Sequence, residues 1–304
     1  MLSRLLLSFL FVGTSTVSAQ SVSSQDLAEP ALRSPLVAVE FTGQRCRYCP
    51  NMARALKANQ RKYGKENYII TALHSLSAYS LLPANHVSLY HPEAKEYAES
   101  IKVHNGLPQL VYNTLGPTVS DLVVDEQYKQ DDLLACTGNV FYTNDHKYVI
   151  EVQTRLRSNM LDVVKHKKID ILFWALENDI VALQDDNGKF TFPAHEHIFR
   201  GSVNTTWGEP YEIGTTYTAT WDIPEKVIAV ANTELVVFFL DHETRTILDA
   251  GQFKVKPHTF TGVDIIPTLV QPQASRSYDL SGRPLNRPLK GSVFIKDGKK
   301  IISK

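Results

Sequence analysis

Leu36-Val37-Ala38-Val39-Glu40-Phe41-Thr42-Gly43-Gln44-Arg45-Cys46-Arg47-Tyr48-Cys49-Pro50 is the stretch on which the reading of this chain turns. Its first six residues are an apolar, β-branched run of strand length, and Thr42-Gly43 ends it. From Cys46 to Tyr63, apolar groups recur at Met52, Leu56 and Tyr63 among Arg and Lys, and Gly64 closes the segment, which predicts a helix. A C-x-x-C pair therefore stands at a strand-to-helix junction. There the unpaired N–H groups and positive dipole end of the helix favour thiolate over thiol at the first sulfur. This makes Cys46 the expected nucleophile, with Arg45 and Arg47 adding positive charge beside it. Cys49, one turn inside, is the expected resolving thiol. Pro50 does not oppose the helix, because a first-turn residue has no i−4 carbonyl to lose.

Working outward, Tyr68 to Leu73 predicts a second strand, followed by a loop from His74 to His91 and a helix from Pro92 to Val103. Gly106-Leu107-Pro108 leads into a strand from Gln109 to Tyr112, giving an α/β unit, with a further short helix expected over Asp121 to Leu134. Beyond Gly138 the pattern changes to short strand-like runs at Tyr148 to Leu156, Ile169 to Leu176, Val227 to Ala231 and Leu235 to Leu240. Such runs predict an all-β, sandwich-like domain with Trp207 and Trp221 filling its core. The boundary falls near residues 134–140, so residues 34–136 and 137–270 are the expected domains. A polar linker and a short tail occupy 271–304, with a hairpin expected from Ser292 to Lys296 and Lys300 to Ser303 around Asp297-Gly298.

Residues 1–19 read as a secretory signal: Arg4 is the positive region, Leu5 to Val12 the apolar core, and Val17-Ser18-Ala19 the small residues before cleavage. Residues 20–33 are a Ser/Gln-rich leader. No other stretch approaches the roughly 20 apolar residues of a membrane-spanning helix, so no transmembrane span is expected. The 304 residues, 43% hydrophobic and 21% charged, suit two domains of common size. Thirty-two basic residues balance 32 acidic ones, which removes any global field for nucleic acid. Three cysteines are too few for a stapling framework, and two of them form the one C-x-x-C pair. No second pair completes a zinc ribbon, so no metal is expected. Cys136 reads as an inert core thiol. His195 and His197, spaced i and i+2, share one face of a strand-like segment but lack an evident third ligand, and a packing or surface role is expected.

The strand Val37 to Phe41, the motif Cys46-Arg47-Tyr48-Cys49 and Gly106-Leu107-Pro108 resemble, in that order, the landmarks of the thioredoxin superfamily. The resemblance implies a cis bond before Pro108, which would lie beside the dithiol and hold a substrate chain in extended pairing. It also implies for Glu40, six residues before Cys46, the role of a buried carboxylate exchanging a proton with Cys49. Tyr48 is more similar to periplasmic disulfide enzymes than to reductive thioredoxins. More widely, Phe41-Thr42-Gly43, the C-x-x-C-P core, Glu177 to Val181, His195 to Arg200 and Ser202 to Glu209 resemble the 28-kDa outer-membrane protein family of Bacteroides-type bacteria. That resemblance implies a thioredoxin-like domain joined to a β-rich one at the outer membrane, periplasmic face or cell surface. The tail from Tyr278 resembles the final part of sorting signals read by type IX secretion.

Two functions are expected from these features. One is a thiol-disulfide oxidoreductase acting on protein thiols and disulfides, with Cys46, Cys49, Pro108 and Glu40 as its site and no cofactor beyond its own sulfurs. The other is a non-enzymatic, adhesin-like binding protein for envelope or host surface proteins, in which the thioredoxin-like unit is a scaffold.

Overall fold

The computed structural model describes residues 34–80, 82–83, 85–103, 106–116, 134–156 and 166–258, together with the four short strands of the tail. The expected signal and leader, and all of the expected helix over Asp121 to Leu134 except its last residue, lie outside the described residues; Leu134 itself begins a strand. The first half contributes β1 (Leu36–Thr42), α1 (Cys49–Tyr63), β2 (Tyr68–His74), α2 (Ser77–Ser80), α3 (Pro92–Ser100) and β3 (Gln109–Tyr112). Then come β4 (Leu134–Tyr142), β5 (Lys147–Leu156), β6 (Ile169–Glu177), β7 (Ile180–Val181), β8 (Gln184–Asp186), β9 (Lys189–Thr191), β10 (Ala194–His195) and β11 (Ile198–Ser202). They are followed by β12 (Glu209–Tyr211), β13 (Thr216–Asp222), β14 (Thr233–Asp241), β15 (Ile247–Lys254) and β16 (Lys256–Pro257). In the tail, β17 (Ser277–Tyr278), β18 (Pro284–Leu285), β19 (Val293–Lys296) and β20 (Lys299–Ile302) form a small sheet in which Val293 pairs with Ile302.

β1 lies between β2, in parallel, and β3, antiparallel. All seven residues of β1 and of β2 are buried, because α1 covers one face and α3 the other. Leu56 of α1 packs on Leu36, Ala38, Tyr68 and Ile70, while Tyr97 and Ala98 of α3 pack with Val37, Val39 and Phe41 on the opposite side. Alternation along a strand sends neighbouring side chains to opposite faces, which is why a strand buried on both sides reads as an unbroken apolar run. Gly64 ends α1 at φ 90°, a conformation that costs glycine nothing.

The sheet does not end at the expected domain boundary. Its strand order is β15-β14-β6-β11-β2-β1-β3, so one sheet takes strands from both sides of residue 136. The junction is β11 against β2, where Ile198 pairs with Ala72 and the Ala72 N–H donates to the His197 carbonyl at 2.8 Å. Without that pairing β2 would present an unpaired edge. β6 and β14 are likewise buried on both faces. Leu172, Trp174, Leu176, Val236, Phe238 and Leu240 join the core under α3. Ile171, Phe173, Ala175, Leu235, Val237 and Phe239 face a second sheet, β13-β5-β4-β16, through Tyr148, Ile150 and Val152. The β-rich half is thus a sheet-on-sheet packing whose larger sheet continues into the α/β half.

The expected loop from His74 to His91 carries the short helix α2, and two further expected elements differ in the structure. Val227 to Ala231 is a loop leading into a short 3-10 turn at Val230–Asn232, not a strand. Its backbone is held by a side chain: the Ile228 and Ala229 N–H groups donate to the buried Glu177 carboxylate. α3 ends at Ser100, with Ile101 as its cap, so the helix is shorter than Pro92 to Val103. Trp207 and Trp221 are only partly buried; the fully buried tryptophan is Trp174, whose indole N–H donates to Tyr97 Oη at 3.0 Å.

Candidate functional site

β1 delivers the chain into the loop Gly43-Gln44-Arg45-Cys46, and α1 begins at Cys49 with Pro50 in its first turn. Cys46 and Cys49 are joined by a disulfide, their Cα atoms 5.4 Å apart, and the Cys49 N–H donates to the Cys46 carbonyl at 3.3 Å. The Leu107–Pro108 bond is cis. Because Phe41 pairs with Gln109, it sits at the same end of the sheet as the dithiol loop. Gly43 is fixed by its surroundings: a Cβ there would stand 2.7 Å from Tyr79 Cβ and 3.2 Å from Leu107 Cδ1. Gly43→Ala is therefore expected to displace the loop and destabilise the fold by about 1–3 kcal/mol, measurable by urea denaturation.

Spacing alone does not anticipate how the loop is held. Gln44 is fully buried and acts as a hub: its side-chain amide donates to the Val87 and Leu183 carbonyls at 3.0 and 3.1 Å, and its Oε1 accepts the Leu89 N–H at 2.8 Å. The segment around β8 lies along the same loop. The Asp185 N–H donates to the Gln44 carbonyl at 2.7 Å and the Asn187 N–H to the Arg47 carbonyl at 3.0 Å. The Gln184 side chain donates to the Gly43 and Cys46 carbonyls at 3.3 and 3.2 Å. Arg54 of α1 closes this contact with two hydrogen bonds to the Asp186 carboxylate. As a result Cys46 is 3% exposed and Cys49 1%, a smaller contrast between the two sulfurs than an open nucleophile and a shielded partner would give. Gln44 and Gln184 carry no local sequence signal, since their partners lie far along the chain.

Behind the disulfide is a cavity of about 200 Å³, lined by Cys49, Glu40, Thr42, His74, Gln184 and His195 among others. Glu40 is 2% exposed and its Oε1 has no hydrogen-bond partner. Burial pushes its carboxyl up to about 7, against a smaller lowering by Thr42. His74 is buried with its ring 6.1 Å from that of His195. Desolvation holds both well toward the neutral form, and His195 adds to the effect at His74. His197 packs at the β2–β11 junction through its backbone, and among the described residues no group of three or more His, Cys, Asp or Glu side chains is arranged to hold a metal ion. Cys136 in β4 is half-buried next to Gly251, not fully inside the core.

The class these features define is a mixed sheet, flanked by helices and by a second sheet, with a disulfide at the entry to α1. No family model and no curated protein matches the chain. Among solved structures, HBP35 of Porphyromonas gingivalis is similar, with a TM-score of 0.57 and 15% identity over 89% of this chain and 97% of that one. A domain of the outer membrane lipoprotein Omp28 from Porphyromonas gingivalis aligns at 20% identity over 42% of this chain and 100% of that one, with a TM-score of 0.32. At these identities the first likeness is one of fold alone, and the second is too weak to establish even that.

Proposed function

We propose that the chain is an exported thiol-disulfide oxidoreductase of the bacterial envelope, with residues 34–136 as its thioredoxin-like unit. The observation that carries this reading is the Cys46–Cys49 disulfide at the N-terminal end of α1 with a buried carboxyl, Glu40, whose Oε1 has no hydrogen-bond partner, in the cavity that Cys49 also lines. A structural staple needs no such carboxyl. In the reduced protein the Cys46 thiolate attacks a sulfur of a substrate disulfide, one substrate thiolate leaves, and a mixed disulfide forms. Cys49 then attacks Cys46 Sγ, releasing the second substrate thiol and closing the disulfide. Glu40, poised near neutrality, takes the proton that Cys49 must lose before it attacks. Pro108, at the same sheet end, shapes the surface on which the substrate chain lies. The export assignment rests on the signal pattern of residues 1–19 and on the family resemblance of the sequence.

Glu40→Gln tests the proton role. In single-turnover reaction of the reduced full chain with oxidised glutathione, wild type should show a pH dependence with an inflection near 7 in the resolving step. The variant should lose that inflection and resolve more slowly. The same substitution has a stability signature. A carboxyl whose folded pKa lies above its unfolded value binds more protons when folded, so its contribution is complete below the unfolded value near 4.5 and is lost as pH rises toward about 7. Wild type should thus lose roughly 3 kcal/mol across that window relative to Glu40→Gln. Equal pH slopes for the two proteins would rule out a buried, proton-exchanging Glu40.

The second reading, a binding protein that keeps the disulfide as a staple, is favoured by the near closure of Cys46 under the Gln184 to Asn187 segment. Glutathione exchange separates the two, since a staple so covered reacts no faster than an ordinary buried disulfide.

A further inference from the structure

Seven large hydrophobic side chains are exposed among the described residues, and six of them stand on the segments that meet at Gln44: Tyr48, Tyr79, Val87, Val181, Phe190 and Phe192. Their exposures run from 38% at Tyr79 to 62% at Val181. Each is tied to the dithiol loop or its neighbours. Tyr79 gives its carbonyl to the Arg45 N–H at 2.7 Å, and Val87 gives its carbonyl to Gln44. Phe190 pairs across the β8–β9 turn with Asp185, whose N–H binds the Gln44 carbonyl. The Phe192 ring lies 6.1 Å from His86, one residue before Val87. Val181 pairs with Ala194 and stands two residues before Leu183, whose carbonyl also binds Gln44. Scattered single apolar residues on a surface need no explanation, but six of seven collected round one loop do.

Two charges stand on the same loop. Arg45 and Arg47 flank Cys46, both are exposed, and among the described residues neither has an ion pair with a carboxylate, whereas Arg54 is paired with Asp186. We infer that this surface docks a polypeptide segment carrying a disulfide-bonded cysteine flanked by apolar side chains and an acidic residue. The inference rests on the redox reading above and specifies its substrate class. A polypeptide fits better than a lipid surface because these residues stand on the dithiol loop and the segments bonded to it, and only a partner with sulfur can react with the pair. A partner segment would cover the aromatic groups, supply the carboxylate that Arg45 and Arg47 lack, and present its sulfur to Cys46.

The test uses the full chain carrying Cys49→Ser, reduced, and three short peptides whose single cysteine is activated as a disulfide with nitrothiobenzoate. Cys46 thiolate attacks the peptide sulfur, the S–S bond to nitrothiobenzoate breaks, and the coloured aromatic thiolate leaves with the electron pair, so no outside oxidant is needed. One peptide has Leu and Phe flanks with Asp, one has the same flanks with Lys, and one has Ser and Gly flanks with Asp. The first should react roughly tenfold faster than the third, equivalent to about 1.4 kcal/mol of binding, and about threefold faster than the second. Phe190→Ser with Phe192→Ser, both at exposed positions, should cut the tenfold advantage to less than threefold. Arg45→Glu with Arg47→Glu should reverse the order of the Asp and Lys peptides. Equal rates for the three peptides, alongside ready reaction with the free aromatic disulfide, would overturn the docking inference and leave the redox reading standing. Failure to react even with the free disulfide would overturn the redox reading itself. Self-association of the full chain, or binding to anionic phospholipid vesicles, that is lost in the phenylalanine double variant while peptide rates stay equal would overturn the docking inference as well, assigning the surface to a second copy or to a membrane instead.

Discussion

Cys46→Ser should abolish disulfide exchange in the full chain, while Cys49→Ser should still attack and then stop as a stable mixed disulfide. The asymmetry follows from position. Cys46 precedes the helix, in the loop between Gly43 and α1, whereas Cys49 is the first residue of α1 and shares a cavity with Glu40. An attacking sulfur must be reached by the partner; a resolving sulfur needs only to reach its neighbour, and the Cα atoms of the pair are 5.4 Å apart. Mass spectrometry of each variant after incubation with a disulfide-containing peptide reads the result. An adduct on Cys49→Ser and none on Cys46→Ser is the expected pattern; adducts on both at equal rates would contradict the assignment of roles. Both variants lose the disulfide equally, so the roughly 2–4 kcal/mol that such a bond contributes does not distinguish them.

Glu177→Ala should be the most damaging single change to the fold outside the apolar core. Glu177 is 1% and Arg200 3% exposed, and Arg200 Nε lies 3.0 Å from Glu177 Oε2. The pair is held by charge more than by hydrogen-bond alignment at Nε. The carboxylate also accepts the N–H groups of Ile228 and Ala229, and the guanidinium donates to the Lys226 carbonyl. Removing the glutamate therefore strands a buried cation and two backbone donors at once. A loss of about 3–5 kcal/mol is expected by denaturant unfolding. Glu177→Gln keeps acceptor oxygen for the backbone but not the charge, and should fall between. Arg200→Met in the Glu177→Ala background should recover part of the loss, because an apolar pair leaves no uncompensated charge. The effect should reach the dithiol as well: β6 pairs with β11, and β11 is the strand that joins β2.

Glu40 and Glu177 mark the limits of what the sequence makes legible. The runs Leu36 to Phe41, Tyr68 to Leu73, Ile169 to Leu176 and Leu235 to Leu240 read correctly as strands because burial on both faces demands nearly continuous apolar residues. Glu40 stands out in the first run as the only charge among six buried neighbours, and it is indeed desolvated. What stays hidden is long-range pairing. Nothing in the local pattern of Ile198–Ser202 says that it will extend the sheet beside β2, so a sequence reading separates halves that share one sheet. Val227 to Ala231 shows the converse error: its composition suits a strand, but Glu177 captures its N–H groups and no neighbouring strand pairs with it among the described residues. Gln44 and Gln184 are unremarkable as letters and become the clamp on the dithiol loop only once Leu183, Val87 and Leu89 are folded around them.

The central claim is that the covered Cys46–Cys49 pair is a working dithiol. Thiol alkylation of the purified full chain, across pH and across glutathione ratios, gives the Cys46 pKa and the reduction potential of the pair together. A working dithiol should show a thiolate pKa well below ~8.5 and a potential between roughly −120 and −270 mV. An unperturbed thiol, or a disulfide whose potential lies below about −300 mV, would contradict the claim and mark the bond as a staple at the entry to α1.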